Sequence, residues 1–593
     1  ASLLRDVEAL NTQPVPTLGI PRAIGAVFDR QSRRLDPVVR AALDLAAVLG
    51  RRLTDLALYA AVDLTPSQAA EALSRLKDEC LLREVRGDLE FRNELIRAQA
   101  YYAVAGPARQ HLHRRVGELL GAKPALGGKP VSLEIAWHFL RGGQASRAIP
   151  FAMDGAEAFL AVGAPHEAEE ILKAVAAGDP ASAVGRGIQL LLAKALLDQS
   201  KADEALPVVE RLNDDGGLTL QERAEVARMR ASAEFSLNRE PGDSYCELTK
   251  QALSLAQETG QPYLIARALF ECARAGTEAG LSDLVLTAQR GLDQLGELTD
   301  INASLMATFT KGFCDLFLLE STRALSSFRE SARLGAADRA NKALLSFAYS
   351  GIGIALLYLC RLNEAQEAFL HALKLARMVG DDARASTMAS NLCIVEGGLG
   401  DYEESIRHGQ MSGRWVAMSS RGPILGGTHT NLADVYILTG RVDLALQCLE
   451  VSEASLGPRS RWRDRCAIVT CRAALALVQG NLNLALDLIG QVEHLARGRE
   501  DAFPLPGPMW KFKLFRAAHL GSPKEALASA SSVCTVLRAK CPFHYLDVLA
   551  VKAWLERRVF GRQTEETIGE LEIFKTLGIP GKKALLTAQG FLE

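Results

Sequence analysis

Two asparagines stand where their side chains could hydrogen-bond a peptide. Asn391 and Asn431 lie 40 residues apart, each nine positions before a glycine, Gly400 or Gly440. An Asn amide donates and accepts at the same time, so equivalent asparagines on neighbouring elements can pair with the backbone of an extended peptide. The alternative is that both side chains bond carbonyls of the neighbouring helix. The sequence leaves both interpretations open.

The wider set of candidate contact positions lies ten, nine or six residues before each predicted turn. Its polar members are Ser350, Ser390, Asn391, Thr430, Asn431, Asp434 and Thr470. In an earlier repeat the corresponding face becomes apolar, with Phe309, Phe313 and Phe317 at four-residue spacing. Such a stripe predicts a helix-to-helix contact or, alternatively, an apolar docking patch.

Motifs of catalysis are missing from the sequence. No His-Glu-x-x-His, Gly-x-Ser-x-Gly or Gly-x-x-x-x-Gly-Lys-Ser/Thr pattern occurs. Without the last of these, the chain lacks the backbone nest and lysine that hold a nucleoside triphosphate. We therefore predict no catalytic residue, no cofactor site and no metal site.

An internal repeat predicts the elements that carry the candidate positions. Gly400, Gly440 and Gly480 are 40 residues apart, and a small residue follows five positions after each. The register extends over Ala168, Ala205, Tyr245, Val285, Ala324, Ala365, Ser405, Ala445, Ala485 and Ala526, and a further step reaches Glu566. Small residues are needed where the second helix of a pair crosses the first. The period predicts an all-α, right-handed superhelical solenoid with first helices lining its concave face.

Residues 36–122 carry a different pattern. A helix is predicted from Asp36 to Gly50, a short helix over residues 53–62, and a third helix opening at Thr65-Pro66. Two segments of alternating polarity, 82–86 and 88–92, then flank Gly87 as in a β-hairpin. Three helices followed by a hairpin is the order of a winged helix.

Composition sets broad limits on function. The chain has 593 residues, 48% of them hydrophobic, and a net charge of −2, so no overall attraction to nucleic acid or anionic membrane is expected. Eleven cysteines without a Cys-x-x-Cys pair predict reduced core thiols. No apolar run approaches the roughly 18 residues of a membrane span, and the expected compartment is the cytoplasm.

Several of these segments resemble a known family. Leu35-Asp36-Pro37, the run Ala46-Ala47-Val48-Leu49-Gly50-Arg51, and Phe91-Arg92-Asn93-Glu94-Leu95-Ile96-Arg97 resemble the winged-helix segment of STAND and LuxR-type multidomain signal-transduction ATPases. Asn431-Leu432-Ala433, Tyr436, Gly440 and Ala445 resemble the tetratricopeptide pattern. The resemblance implies a nucleotide-domain tail (1–35), a winged-helix-like domain (36–122) and a tetratricopeptide-like array (130–593). Asn93 departs from the histidine usual in that family, which puts nucleotide sensing there in doubt.

The resemblance implies a function without catalysis. The chain would be the sensor arm of a signal-transduction, transcription-regulating ATPase, and would bind a protein, peptide or small inducer in its concave groove. One alternative is a constitutive protein-interaction scaffold. The other is a DNA-binding regulator that uses the winged helix and the basic run Arg109, His111, His113, Arg114 and Arg115, although such a run more often forms a solvated face. The cluster Arg459, Arg461, Arg463 and Arg465 around Trp462 predicts a solvated loop.

Overall fold

The structure is a computed structural model. It describes residues 28, 30–50, 52–85, 87–122, 131–176, 182–237, 243–279, 281–337, 340–418, 422–456, 462–497 and 507–592. Most of the expected nucleotide-domain tail, together with Arg459 and Arg461, lies outside the described residues. The chain forms two compact units. One comprises Ala1–Leu160 and Ala164–Leu192, and the other comprises Ala161–Gly163 and Ala193–Glu593.

The first unit opens with three helical segments and a hairpin. These are α1 (Pro37–Leu49), a 3-10 helix (Leu56–Val62), α2 (Pro66–Asp78), β1 (Leu82–Val85) and β2 (Asp88–Phe91). The two strands pair antiparallel, with Leu82 opposite Phe91. The Asp36 carboxylate caps α1, and a capping box of Thr65 and Gln68 starts α2. The order is the one predicted, but the short helix begins at Leu56, not at residue 53.

Helices make up the rest of this unit. They are α3 (Glu94–Ala103), α4 (Gly106–Ala122), α5 (Ser132–Arg141), α6 (Ala145–Val162), α7 (Pro165–Val175) and the first part of α8 (Ala183–Asp198). Asn93 is the N-cap of α3, where its side chain accepts a hydrogen bond from the Ile96 amide at 2.9 Å. Asn93 thus has a structural role in starting that helix.

The second unit is an array of helix pairs. Its helices are α9 (Ala202–Asn213), α10 (Leu220–Ser236), α11 (Asp243–Thr259), α12 (Pro262–Ala279), α13 (Ser282–Gln294), α14 (Ile301–Phe317), α15 (Ser321–Gly335), α16 (Lys342–Tyr358), α17 (Leu362–Met378), α18 (Asp382–Leu399), α19 (Tyr402–Met418), α20 (Gly422–Leu438), α21 (Val442–Ala454), α22 (Trp462–Val478), α23 (Leu482–Leu495), α24 (Gly507–Leu520), α25 (Pro523–Lys540), α26 (Pro542–Phe560), α27 (Glu565–Leu571), α28 (Ile573–Thr576) and α29 (Pro580–Ala588). No described helix is both long and apolar enough to span a bilayer.

The predicted 40-residue register is confirmed by burial. All ten positions from Ala168 to Ala526 are buried, and each lies on the second helix of a pair. Gly400, Gly440 and Gly480 have φ values of 92°, 71° and 75°, the left-handed conformation that ends a helix. The further step to Glu566 is wrong, because this residue is exposed and lies on a helix of only seven residues.

The last helices fold back onto the middle of the array. Helix α26 packs against α16, and α29 packs against α18 and α20. Ser321 donates to the Lys540 carbonyl at 3.0 Å, and the rings of Tyr358 and His544 lie 5.2 Å apart. Packing therefore joins helices that are nearly 200 residues apart in sequence. A simple solenoid has contacts only between neighbouring repeats.

Candidate binding surface

The inner surface, defined as the faces of α16, α18, α20 and α22 that carry the predicted contact positions, is held together by polar bonds. The Asn431 amide donates to the Ser390 hydroxyl at 2.8 Å, which joins α20 to α18. The Cys471 thiol of α22 donates to the Asp434 carboxylate at 3.1 Å. Candidate residues of successive first helices thus contact one another.

Burial divides the candidate residues into two groups. Ser390, Thr430 and Thr470 are buried, whereas Ser350, Asn391, Asn431 and Asp434 are half-buried. Asn431 does bond the neighbouring helix, but its acceptor is a hydroxyl and not the carbonyl that the alternative interpretation named. The half-buried residues are those that a ligand could reach with the least rearrangement.

A cluster of charged side chains includes one residue of the inner surface and three buried residues of the last helices. This charge cluster comprises Asp434 of α20, Lys511 of α24, Asp547 of α26 and Lys582 of α29. The Lys582 ammonium lies 2.8 Å from one Asp547 oxygen, and the Lys511 ammonium lies 3.7 Å from the other. The side chains of Lys511, Asp547 and Lys582 are 2%, 4% and 8% exposed, so these ions interact almost without water.

The two carboxylates of the charge cluster respond differently to burial. Burial alone would raise the pKa of Asp547, but Lys582 and Lys511 outweigh that effect and hold its pKa below the ordinary value. Burial raises the pKa of Asp434, which the Cys471 hydrogen bond and the more distant lysines only partly oppose. Burial also lowers the pKa of Lys511. Asp547 is therefore the carboxylate that balances the lysines.

Residues 579–592, which we call the return segment, reach the inner surface through a close backbone approach. Gly581, near the start of α29, lies so near α18 that an added methyl group would overlap the Gly397 carbonyl oxygen. A side chain at Gly400 would likewise come within 3.3 Å of the Pro580 ring. Only glycine permits such contact between two helices.

Apolar and polar anchors complete the docking of the return segment. Leu585 packs against an apolar cluster that includes Leu432 and Tyr436 of α20. Leu586 and Phe591 are fully buried, and the Phe591 ring lies 5.4 Å from that of Phe515. The Lys511 ammonium donates to the Gln589 side chain at 2.6 Å. The inner surface is thus already covered in part by a helix of the same chain.

The phenylalanine stripe lies mainly in the core. Phe309 and Phe317 are 6% and 5% exposed, and the Phe309 ring lies 5.5 Å from the rings of Phe270, Phe328 and Phe347. Phe313 is half-buried and meets Phe270 edge-on at 5.5 Å. This geometry favours the helix-to-helix interpretation, and only Phe313 keeps an accessible part.

Two basic sequence features are engaged in internal contacts. His113 is buried and lies 3.0 Å from the Tyr101 hydroxyl, so the run from Arg109 to Arg115 is not uniformly solvated. Arg463 donates to the Thr277 carbonyl at 2.8 Å, and Trp462 is buried. The expectation of a solvated loop is therefore wrong for these two residues.

One group of side chains has the spacing of a metal site. Glu396, Glu404 and His408 bring possible ligand atoms close together, with the His408 Nδ1 atom 2.8 Å from Glu396. The guanidinium of Arg407 pairs with Glu404 and lies 3.2 Å from the His408 Nε2 atom. Arg407 thus supplies the positive charge that these carboxylates face.

Neither the charge cluster nor the return segment was predicted from the sequence. A signal existed, since Lys511 stands in Trp-Lys-Phe-Lys-Leu-Phe and Asp547 in Tyr-Leu-Asp-Val-Leu. A charged residue flanked on both sides by apolar residues in a helix indicates a buried and paired ion. Their partners could not be found in this way, because the pairs join helices that are far apart in sequence.

No protein-family model matches the sequence, and no curated protein matches it. Among solved structures, the chain is similar to a Rap protein complexed with competence and sporulation factor, with a TM-score of 0.41 and 13% identity over 65% of this chain and 98% of the other. It is similar to NprR in complex with its cognate peptide NprX (TM-score 0.42, 15% identity, 56% and 95% covered). It is also similar to a STAND protein with a tetratricopeptide repeat sensor from Pyrococcus horikoshii (TM-score 0.37, 13% identity, 78% and 67% covered).

Proposed function

We propose that this chain is a non-catalytic sensor arm that binds a protein or peptide segment on the inner surface of its helical array. The observation that carries the proposal is the docking of α29 against α18 and α20. Helix α29 has nine residues. Its first turn makes the polar contacts, and the leucines that follow form a short apolar face. A surface that accepts such a helix from its own chain has the shape and polarity to accept one from a partner.

Half-buried polar groups on the inner surface also support the proposal. Ser350 lies on α16 and Asn391 on α18, the first helices of successive pairs, and both are half-buried. An incoming backbone could bond them without breaking the Asn431–Ser390 contact. A ligand that prefers one curvature of the array would shift its population, which is how a solenoid passes a signal to an attached domain.

The attached domain belongs to the same proposal. The order of α1, the 3-10 helix, α2 and the β1–β2 hairpin supports a winged-helix-like domain over residues 36–122, with the array over 130–593. In that arrangement the array reports to a signal-transduction ATPase. The internal contacts of His113 leave less support for a DNA-binding role.

The test is affinity capture with a matched pair of variants. The full chain is compared with Asn391→Ala, Asn431→Ala and with Asn363→Ala, Asn483→Ala, whose asparagines are exposed on the second helices α17 and α23. We expect a partner that the wild type and the second variant retain and the first variant loses. Cross-linking of the captured partner should then map to α18 and α20.

Circular dichroism of each variant provides the control for folding. Loss of the Asn431–Ser390 bond costs about 1 kcal/mol, which a long array tolerates. Equal capture by both variants would place recognition outside the inner surface. Capture with cross-links confined to the convex helices would favour a scaffold without a switch.

A further inference from the structure

We propose that the return segment is a displaceable ligand of the inner surface, and that its chemistry defines the partner, a short amphipathic helix with a small residue and a lysine in its first turn. This inference deepens the proposed function and rests on it for its biological meaning. The helix α29 does not simply continue the array, since it also packs on α18 and α20, which lie far from it in sequence.

The ligand class follows from four features of the return segment: a small residue, a lysine, a pair of leucines and an aromatic residue. The small residue is required where Gly581 meets the Gly397 backbone. The lysine is required because Lys582 pairs with Asp547 at 2.8 Å and lies 3.7 Å above the Phe543 ring. Adjacent leucines, Leu585 and Leu586, then enter the apolar clusters of the array. The pattern is Gly-Lys-x-x-Leu-Leu, with a further aromatic anchor at Phe591.

Several features make the docked helix replaceable. A helix of nine residues is marginal by itself, so its order depends on docking. The charge cluster must be desolvated for docking, and buried ion pairs of this kind add little net stability. Because repeats are stabilised chiefly by their neighbours, α18 and α20 can stay folded when α29 leaves.

Displacement of the return segment would change the surroundings of its buried side chains and of Asp547. Release of the return segment would expose Leu586 and Phe591, and would leave Asp547 with Lys511 as its remaining partner in the charge cluster. A partner helix that supplies its own lysine and leucines restores both the ion pair and the apolar contacts. A peptide without the lysine does not, which gives the surface its selectivity.

The experiment measures binding of the chain's own peptide in trans. A fluorescent synthetic peptide of residues 577–592 is titrated against the full chain and followed by anisotropy. The variant Gly581→Ala removes the close approach and should free the surface. The matched control is Gly569→Ala, because a methyl group there meets no atom within 4 Å. We expect Gly581→Ala to bind the peptide at least tenfold more tightly than either the wild type or the control.

Hydrogen exchange shows whether the surface stays folded. In Gly581→Ala the amides of α29 should lose protection while those of α18 and α20 keep it. Lys582→Glu, which places like charges beside Asp547, tests the same release by electrostatics. A peptide that itself carries Gly581→Ala should not bind.

Three results would overturn the inference. The first is release of α29 without peptide binding, and the second is joint loss of protection in α29, α18 and α20, which would make the return segment part of the core. The third is unchanged protection in both variants. These results are independent of affinity capture, since the peptide comes from this chain, so an absent outside partner would weaken only the proposed function.

Discussion

At the scale of single residues, the charge cluster contains two carboxylates whose pKa values shift in opposite directions. Asp547 has two lysines within 4 Å, and its pKa is lowered. Asp434 has a thiol donor at 3.1 Å and no lysine at that range, and burial raises its pKa. Proximity of the cation, and not burial, decides which carboxylate stabilises the fold.

Replacing the two carboxylates should therefore give different results. We expect Asp547→Asn to lower the free energy of unfolding by about 3–5 kcal/mol at pH 7, because two buried lysines lose their counter-charge. Asp434→Asn should be no less stable than the wild type, because it removes a charge that burial disfavours. Urea denaturation followed by circular dichroism measures both changes.

The pH dependence of the free energy of unfolding tests whether Asp547 is charged in the folded protein. A carboxylate whose pKa is lowered by folding stabilises the fold at pH values above the ordinary Asp pKa of about 4. This contribution is lost as the pH falls through the folded-state pKa. The gap between wild type and Asp547→Asn should thus narrow below about pH 4. A gap that stays constant down to the acid transition would mean that Asp547 is not the charged partner.

A buried histidine pair gives a second pH effect, confined to the first unit. The Nδ1 atoms of His113 and His138 lie 2.9 Å apart, and burial lowers their pKa values to about 2 and about 3. Both imidazoles are neutral in the folded state, so unfolding takes up protons once the pH falls below the ordinary value of about 6.5.

We expect this unit to lose about 1.4 kcal/mol of stability per pH unit for each histidine below about pH 6. Fluorescence of Trp137, whose ring lies 5.0 Å from that of His113, reports the melting of this region. His111→Gln is the control, because His111 is exposed. A melting temperature that does not change between pH 7 and pH 5 would contradict the burial of neutral imidazoles.

At the scale of elements, the helix pairs depend on small residues at the crossing points. Ala365, Ser405, Ala445 and Ala485 are fully buried in four successive second helices. A larger side chain at such a point would push the two helices apart. The register therefore marks the positions where two helices come close together. Because only small residues fit there, these positions could be predicted from the sequence.

Ala485→Leu should lower the free energy of unfolding by about 1–3 kcal/mol through overpacking. Its neighbour Leu484 is 45% exposed, so Leu484→Ala should cost much less. Urea denaturation of the two variants provides the comparison. Equal losses would show that the crossing at Ala485 has room for a larger residue.

At the scale of the second unit, contacts between distant helices should make unfolding more cooperative than in a nearest-neighbour array. Arg463 bonds Thr277 and Ser321 bonds Lys540, which joins α22 to α12 and α15 to the end of α25. Each contact closes a segment of roughly 200 residues. Helices in the middle of the array and helices near residue 550 are thus coupled.

Hydrogen exchange in increasing urea should show α16 and α26 losing protection at the same urea concentration in the wild type. The double variant Arg463→Ala, Ser321→Ala should separate the two midpoints. If the wild-type helices already unfold at different concentrations, the distant contacts contribute little and the array behaves as independent neighbours.

The sequence by itself determined the local elements and their repetition. The hairpin around Gly87, the helix start at Thr65 and the 40-residue register follow from rules that act within a few residues or between adjacent helices. It also placed Asn391, Asn431 and Asp434 on first helices, and their role in binding stays a prediction. Tertiary structure alone decided that Lys582 meets Asp547 and that Gly581 meets Gly397. The physical reason is that these pairs depend on how small rotations between repeats add up along the array. No local pattern of residues predicts the total rotation.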